Sequence, residues 1–281
     1  MSKRKGATPQ NVLSWIANGD GQGELENYKP FLHVRDVPSQ GRSAIDLGLK
    51  TGRSHHYLSD LEYGCHVVAE YANNVGDIRE QYALLPWEET QQIAQELGIR
   101  HPTYPGTSTP IVVTTDIVLT ISDSSQFPAI ALSVKMSSEI QIENKTAKRT
   151  LEKLLIEKKY WERRLIPWIL CTEKNIPINR AYNLDFFRNA MQRRELDHLS
   201  QHLPDFVIRF GETWKPNLSL TKLLTELALT FSISKSDAFT LLGRAIWMRL
   251  IKVDLDVARF DHDRPIPVIT EFHSRKELEN A

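Results

Sequence analysis

The stretch VVTTDIVLTISDSSQFPAIALSVK, residues 112–135, decides the fold. Two apolar arms, about 111–121 and 129–136, flank a turn-rich middle, the pattern of a β-hairpin. Asp116 sits inside one arm and Lys135 near the end of the other. A charge inside a buried strand costs free energy unless it is paired or binds something. A turn centred on Ser124 and Ser125 pairs Asp116 with Ser133 and sets Lys135 two residues along. Residues opposite each other on antiparallel strands share a face, so Asp116, Ser133 and Lys135 are expected on one side, with Ile130, Leu132 and Val134 on the other. Two explanations stay open at this point. One is a cross-strand ion pair on a solvated face. The other is a carboxylate that holds Mg²⁺ beside a cation that orients water.

Upstream, SDLEYGCHVVAEYAN places Leu61, Cys65, Val68 and Ala72 at three- and four-residue steps, a helix face. Its start, Ser59-x-x-Glu62, is a capping box, so spacing alone favours Glu62 as a cap over the second carboxylate that a Mg²⁺ site requires. DIREQYALLP (77–86) reads as a strand and residues 87–98 as a short helix. Downstream, TAKRTLEKLLIEKKYWERR is an amphipathic helix with Leu151, Leu154, Leu155 and Tyr160 or Trp161 expected inward, and LIPWILCTE reads as a buried strand. The order is that of a compact α/β unit.

Residues 1–57 are polar, with one helix-like piece near 9–18. The C-terminal segment carries helix patterns in LSLTKLLTELALTF and SDAFTLLGRAIWMRLI, joined by SISK. Strand-like KVDLDVARF and RPIPVIT follow, which together suit a winged helix-turn-helix. The expected organisation is a catalytic domain over 1–172 with a polar N-terminal arm, and a smaller, mainly α, winged-helix-like domain over 173–281 for partner or DNA contact.

Bulk composition narrows the class. The 281 residues are 41% hydrophobic, enough for a real core, and carry 35 Lys plus Arg against 35 Asp plus Glu. A neutral chain gives no global signal for nucleic acid, so local charge must be read instead. Residues 145–164 hold eight basic side chains against three acids, among them Lys145, Lys148 and Arg149. These suit DNA phosphates or a solvated helix face. Two distant cysteines without a CxxC pair argue against a zinc finger. No apolar run approaches the roughly 18 residues of a membrane span, so a soluble, cytoplasmic protein of a reducing compartment is expected, with no membrane partner.

The ordered strings GRSHHYLSDLE (52–62), DIREQYALLP (77–86), TTDIVL (114–119), SVK (133–135), TLEKLLIEKKYW (150–161) and IPW (166–168), with VPSQGRS (37–43), resemble the TnsA family. These are the endonuclease subunits of heteromeric transposases of Tn-seven-like elements. The resemblance implies a restriction-endonuclease-like fold, a mixed sheet flanked by helices. It implies that Glu62 and Asp116 are metal-binding acids, Lys135 the active-site lysine and Glu157 a further acid. Gln81 matches a family position, which leaves it either lining the same cleft or as an exposed strand glutamine, and His55 and His56 match a family pair read as structural or DNA-contacting. Ser133 departs from the family, which often has glutamine there, so a main-chain carbonyl of Ser133 or Val134 becomes the candidate third oxygen donor.

The implied activity is Mg²⁺-dependent hydrolysis of a phosphodiester at the 5′ ends of the transposon during excision, with one or two ions and with Mn²⁺ as a substitute. The implied partners are double-stranded DNA at the transposon ends, a DDE-type transposase subunit and an ATPase regulator, with nucleoid association upon assembly on DNA. Two alternatives remain: a stand-alone restriction- or repair-type nuclease, and a non-catalytic winged-helix adaptor.

Overall fold

The hairpin forms in the computed structural model of the protein, which describes residues 4, 6–37, 42–122, 127–141 and 143–269. Its arms pair Ile117 with Leu132, Val118 with Ala131 and Leu119 with Ile130, the register expected above. The turn at Ser124 and Ser125 lies outside the described residues.

The chain divides into two compact units after Ile176. In the first, helix α1 (Pro9–Ala17) is capped by Thr8, whose side chain accepts from Asn11 N. A two-stranded hairpin follows, β1 (Ala44–Leu47) and β2 (Ser54–Tyr57), in a region read from sequence as irregular. Then come α2 (Asp60–Tyr71), β3 (Val75–Ala83), α3 (Trp87–Glu96), β4 (Thr114–Ile121), β5 (Ala129–Val134), α4 (Ala147–Glu162) and β6 (Trp168–Cys171). Strands β3, β4, β5 and β6 form one sheet in that order. The first three are antiparallel neighbours and β6 runs parallel to β5. A parallel neighbour needs a crossover of a dozen or more residues, and α4 supplies it.

Strand alternation then builds two cores. Val118, Ala129 and Ala131 pack with Ile93 of α3 and with Ile156, Tyr160 and Trp161 of α4 on one face. Ile117, Leu119 and Val134 pack with Cys65 and Ala69 of α2 on the other. The result is a mixed sheet flanked by helices, the restriction-endonuclease-like arrangement.

Both flanking helices are rotated from the expected faces, for the same reason. In α2 the buried residues are Glu62, Cys65, His66, Val67, Ala69 and Glu70, while Leu61, Val68 and Ala72 are half-buried. In α4 the buried stripe includes Leu154, Glu157 and Trp161, while Leu151 and Leu155 are 44% and 45% exposed. Each helix turns a carboxylate inward, and the helical period then carries leucines outward.

A buried ionic cluster ties the small hairpin to β3. Glu80 accepts from Arg53 at 2.8 and 2.7 Å, from His55 Nδ1 at 2.8 Å and from His56 N at 3.1 Å. Thr51 Oγ1 lies 2.7 Å from the other His55 nitrogen. His55 is completely buried, which removes it as a DNA contact: it holds Glu80. His56 is half-buried, its ring edge-on to His33.

The C-terminal unit is helical: α5 (Ile178–Gln192), a 3₁₀ run Arg194–His202, α6 (Leu203–Thr213), α7 (Leu220–Phe231) and α8 (Lys235–Trp247). The two expected helices are present, joined through Ser232 in the left-handed conformation and Ser234 as N-cap. Helices α5 and α6 come in addition. The expected β-ribbon does not form as strands; one antiparallel bridge joins Val253 to Val268. Pro265 and Pro267 have no N–H to donate, so a ladder cannot extend through them.

Burial alone would push the Glu80 carboxyl up, but the hydrogen bonds from His55 and Arg53 outweigh it and hold it at about 2, below its usual 4.5. A depressed carboxylate stabilises the fold above its unfolded value and loses that contribution as pH falls through its folded one. Glu80→Gln is therefore expected to cost on the order of 3 kcal/mol at neutral pH. It should also flatten the loss of stability between about pH 4.5 and 2. Urea titrations of both proteins across that range check this; parallel pH profiles would refute it.

Candidate active site

Strands β4 and β5 stop pairing at Ile117 and Leu132, although β4 starts at Thr114 and β5 runs on to Val134. Asp116 sits where they part. Its Oδ2 accepts from Val134 N at 2.7 Å, replacing the ladder bond, and from Lys135 Nζ at 2.8 Å. The same ammonium donates to the Val134 carbonyl oxygen at 2.8 Å. So Asp116 and Ser133 are not the direct cross-strand partners that the unbroken register predicts, but the Asp116–Lys135 pair does form.

Glu62 joins from α2. Its carboxylate accepts from Leu58 N at 3.0 Å and from Ser59 Oγ at 3.0 Å, and Glu62 N donates to Ser59 Oγ at 3.2 Å. That is the capping arrangement. The carboxyl also feels both Asp116 and Lys135, so the cap and the site coincide. Burial first, and then the Asp116 charge, push it up to about 7.

Gln81 of β3 completes this side. Its amide nitrogen donates to Glu62 Oε2 at 3.3 Å and its carbonyl oxygen accepts from Thr114 Oγ1 at 3.3 Å. Gln81 has φ of 47°, a left-handed conformation that a non-glycine residue adopts at a cost. The twist breaks strand alternation and aims the amide at Glu62 rather than at the opposite face.

Glu157 joins from α4, buried beneath the strands. Ser133 Oγ donates to Glu157 Oε1, and Trp168 Nε1 donates to Ser133 Oγ at 2.8 Å. Burial first, and then Asp116, push the Glu157 carboxyl up to about 7. Ser133 thus anchors Glu157 rather than facing an ion, which explains how a small hydroxyl serves at this position. Thr115, bonded to Trp161 Nε1 at 2.7 Å, also hydrogen-bonds Glu157. Thr115, Trp161 and Trp168 were not singled out from the sequence, though Trp161 lies one turn after Glu157 and so on the same helix face. Cys65 and Cys171 are both free, Cys65 buried and Cys171 half-buried.

Three acids therefore surround one fixed cation. Burial alone would lower the Lys135 ammonium, but Asp116, then Glu157 and Glu62, hold it above the ordinary lysine value. It is charged at neutral pH, so it is no general base in this state; it can neutralise developing negative charge or orient water.

Does this donor set fit Mg²⁺? Among the described residues, no three His, Cys, Asp or Glu side chains converge as ligands. The Lys135 ammonium nevertheless acts as a stand-in cation: it gathers one oxygen of Asp116 and the Val134 carbonyl within 2.8 Å of a single point. With Glu62 alongside, two carboxylates and a carbonyl form the hard oxygen set that Mg²⁺ prefers.

The basic run around α4 is partly spent on ion pairs. Lys158 and Lys159 pair with Glu162, Arg163 with Glu89 and Glu96, and Arg164 with Glu89. Lys145 and Lys148 are exposed, and Arg149 contacts Glu152 at 2.8 Å.

The profile of the TnsA-like endonuclease N-terminal family matches residues 72–173. The Transposon Tn7 transposition protein TnsA of Escherichia coli is 44% identical over 161 residues, 57% of this chain and 56% of that protein. The chain thus spans about half the length of the curated relative it matches. The matched stretch, residues 72–173, includes Gln81, Asp116, Ser133, Val134, Lys135 and Glu157; Glu62 lies before it.

Proposed function

We propose that this chain is a Mg²⁺-dependent DNA endonuclease subunit of a transposase complex, which hydrolyses a phosphodiester at the 5′ ends of the transposon during excision. One observation carries the reading: the Lys135 ammonium is fixed on Asp116 Oδ2 and the Val134 carbonyl, beside Glu62. The similarity to TnsA supports the transposition context.

Glu62, Asp116 and the Val134 carbonyl would hold the ion, with Mn²⁺ as a substitute. When bound, Mg²⁺ polarises a phosphoryl oxygen and lowers the pKa of water. The chain's own groups supply the rest. Lys135, always charged here, neutralises negative charge that develops on the phosphate. Glu157, held by Ser133 and Thr115, adds negative charge beneath Asp116 and keeps the site attractive to a cation. Gln81 fixes the rotamer of Glu62. The partners proposed are duplex DNA at the transposon ends, a DDE-type transposase subunit that processes the other strand, and an ATPase regulator that contacts the C-terminal unit. A winged-helix role for α7 and α8 belongs to this proposal. No helix among the described residues is long and apolar enough to cross a membrane.

Asp116→Asn is expected to lower Mg²⁺-dependent strand cleavage by the assembled complex by about a hundredfold or more. Cleavage at the wild-type rate would sink the nuclease reading. Cleavage of naked DNA by the isolated chain would favour a stand-alone enzyme instead.

The pH dependence is equally specific. Glu62 and Glu157 stand near 7 in the folded chain against a usual 4.5. Between those values the folded state binds more protons than the unfolded one, so metal-free protein loses stability as pH climbs. Mg²⁺ must displace those protons. Its stabilising shift in Tm should be nearly absent at about pH 5.5 and grow as pH passes about 7. Equal shifts at both ends would contradict the assignment of Glu62 to the ion and of Glu157 to the charge beneath it.

A further inference from the structure

A pocket opens beside the site, between the segment that follows α3 and the first turns of α4. It is lined by Arg100, His101, Pro102, Thr103, Arg149 and Lys153. His101 is committed to the protein: its Nδ1 contacts the Pro102 carbonyl at 2.9 Å and its Nε2 the Thr90 hydroxyl at 3.0 Å. Burial, and then Arg149, keep it below the ordinary histidine value despite the bond to Pro102. The cations that face the pocket are therefore Arg100, Arg149 and Lys153.

Their charge is not balanced locally. Arg149 gives one N–H to Glu152 at 2.8 Å, which leaves the rest of its five-donor fork available. Arg100 is exposed and has no ion pair among the described residues. Lys153 has none either, and the charges it feels, Arg149 and Lys135, are both positive. With Glu152 the one acid paired to these three cations, the excess like charge raises the free energy of the chain unless an anion joins it.

Position gives the anion its identity. Arg149, Lys153 and Glu157 occur at four-residue steps and so share one stripe of α4. Each step advances about 6 Å along the helix. The stripe therefore runs from the acid beneath Asp116 to the basic pocket about 12 Å away, with Lys153 between. A DNA strand advances about 3.4 Å per nucleotide along the duplex axis, so this distance corresponds to roughly three nucleotides.

We propose that Arg100, Arg149 and Lys153, with Thr103, form a subsite for a backbone phosphate of the cleaved DNA, a few nucleotides from the scissile bond. The assignment rests on the endonuclease reading for its ligand. The subsite holds the strand in register and carries no sequence information, as backbone contacts do. It also explains why the helix keeps an unpaired lysine between the buried Glu157 and Arg149.

The test uses the full chain, a fluorescently labelled duplex and no divalent metal, with anisotropy read across a salt series. Arg100→Gln combined with Lys153→Gln should lower the slope of log K against log salt by about 1.8, the effect of two lost phosphate contacts. Affinity at low salt should fall about tenfold or more. The control, Lys158→Gln with Lys159→Gln, removes two charges already paired with Glu162 and should leave the slope nearly unchanged. An unaltered slope in the pocket variant, an equal change in the control, or no duplex binding by the wild-type chain at low salt would each overturn the proposal. So would a pocket that binds inorganic phosphate, read as a Tm shift lost in the variant, while the DNA slope stays put: that outcome means a free-anion site. Failure of the endonuclease reading is seen separately, as cleavage that survives Asp116→Asn, and leaves these slopes untouched.

Discussion

The contact between Lys135 and Asp116 is the constraint on which the N-terminal unit depends. Three carboxyl groups, Glu62, Asp116 and Glu157, arrive from α2, β4 and α4 at one poorly solvated place, and a single ammonium meets them there. Three anions in such a site repel strongly; two respond by rising to about 7, where protons or a bound cation relieve them. The divergence of β4 from β5 exists to seat this group. Asp116 takes the Val134 N–H that the ladder leaves open, so the broken pairing leaves no orphaned donor.

The buried acids of this unit divide by how many donors surround them. Glu80 has Arg53, His55 and a backbone N–H, and it is held down at about 2. It is a structural anion. Glu62 and Glu157 are buried too, but they meet fewer and weaker donors, and both are pushed upward. A buried carboxyl that is under-satisfied in a cleft and coupled to a neighbour has the marks of function. Local rules are broken in the same place. Gln81 takes a left-handed backbone, and α2 and α4 turn acids inward while Leu151 and Leu155 face solvent. Departures of this kind are expected where a site, and not the core, sets the side-chain direction.

The C-terminal unit obeys packing more simply. Arg244 is one of its buried charged side chains: it donates to the carbonyl oxygens of Ala190, Arg193 and Leu196, to Ser200 and to Asp197. The guanidinium thereby satisfies the ends of α5 and the 3₁₀ run that no helix partner reaches. This one side chain joins α8 to the segment least regular in sequence.

Much of this was legible in the residues themselves. The hairpin register followed from apolar alternation and a polar middle, since a shift by one residue would expose the core face. The Ser59–Glu62 cap, the order of strands and helices, and the α7–α8 pair followed from local periodicity and capping. Spacing alone favours Glu62 as cap over Glu62 as site member; the fold makes it both, because the capped end of α2 lies against Asp116. Nor could spacing show that Ser133 faces Glu157, that His55 is buried on Glu80, or that the ribbon after α8 shrinks to one bridge. Those outcomes depend on residues far apart in the chain meeting in space. Local sequence determines periodicity, caps and turns, which act over a few residues; burial of charge is decided only when the layers close and water is excluded.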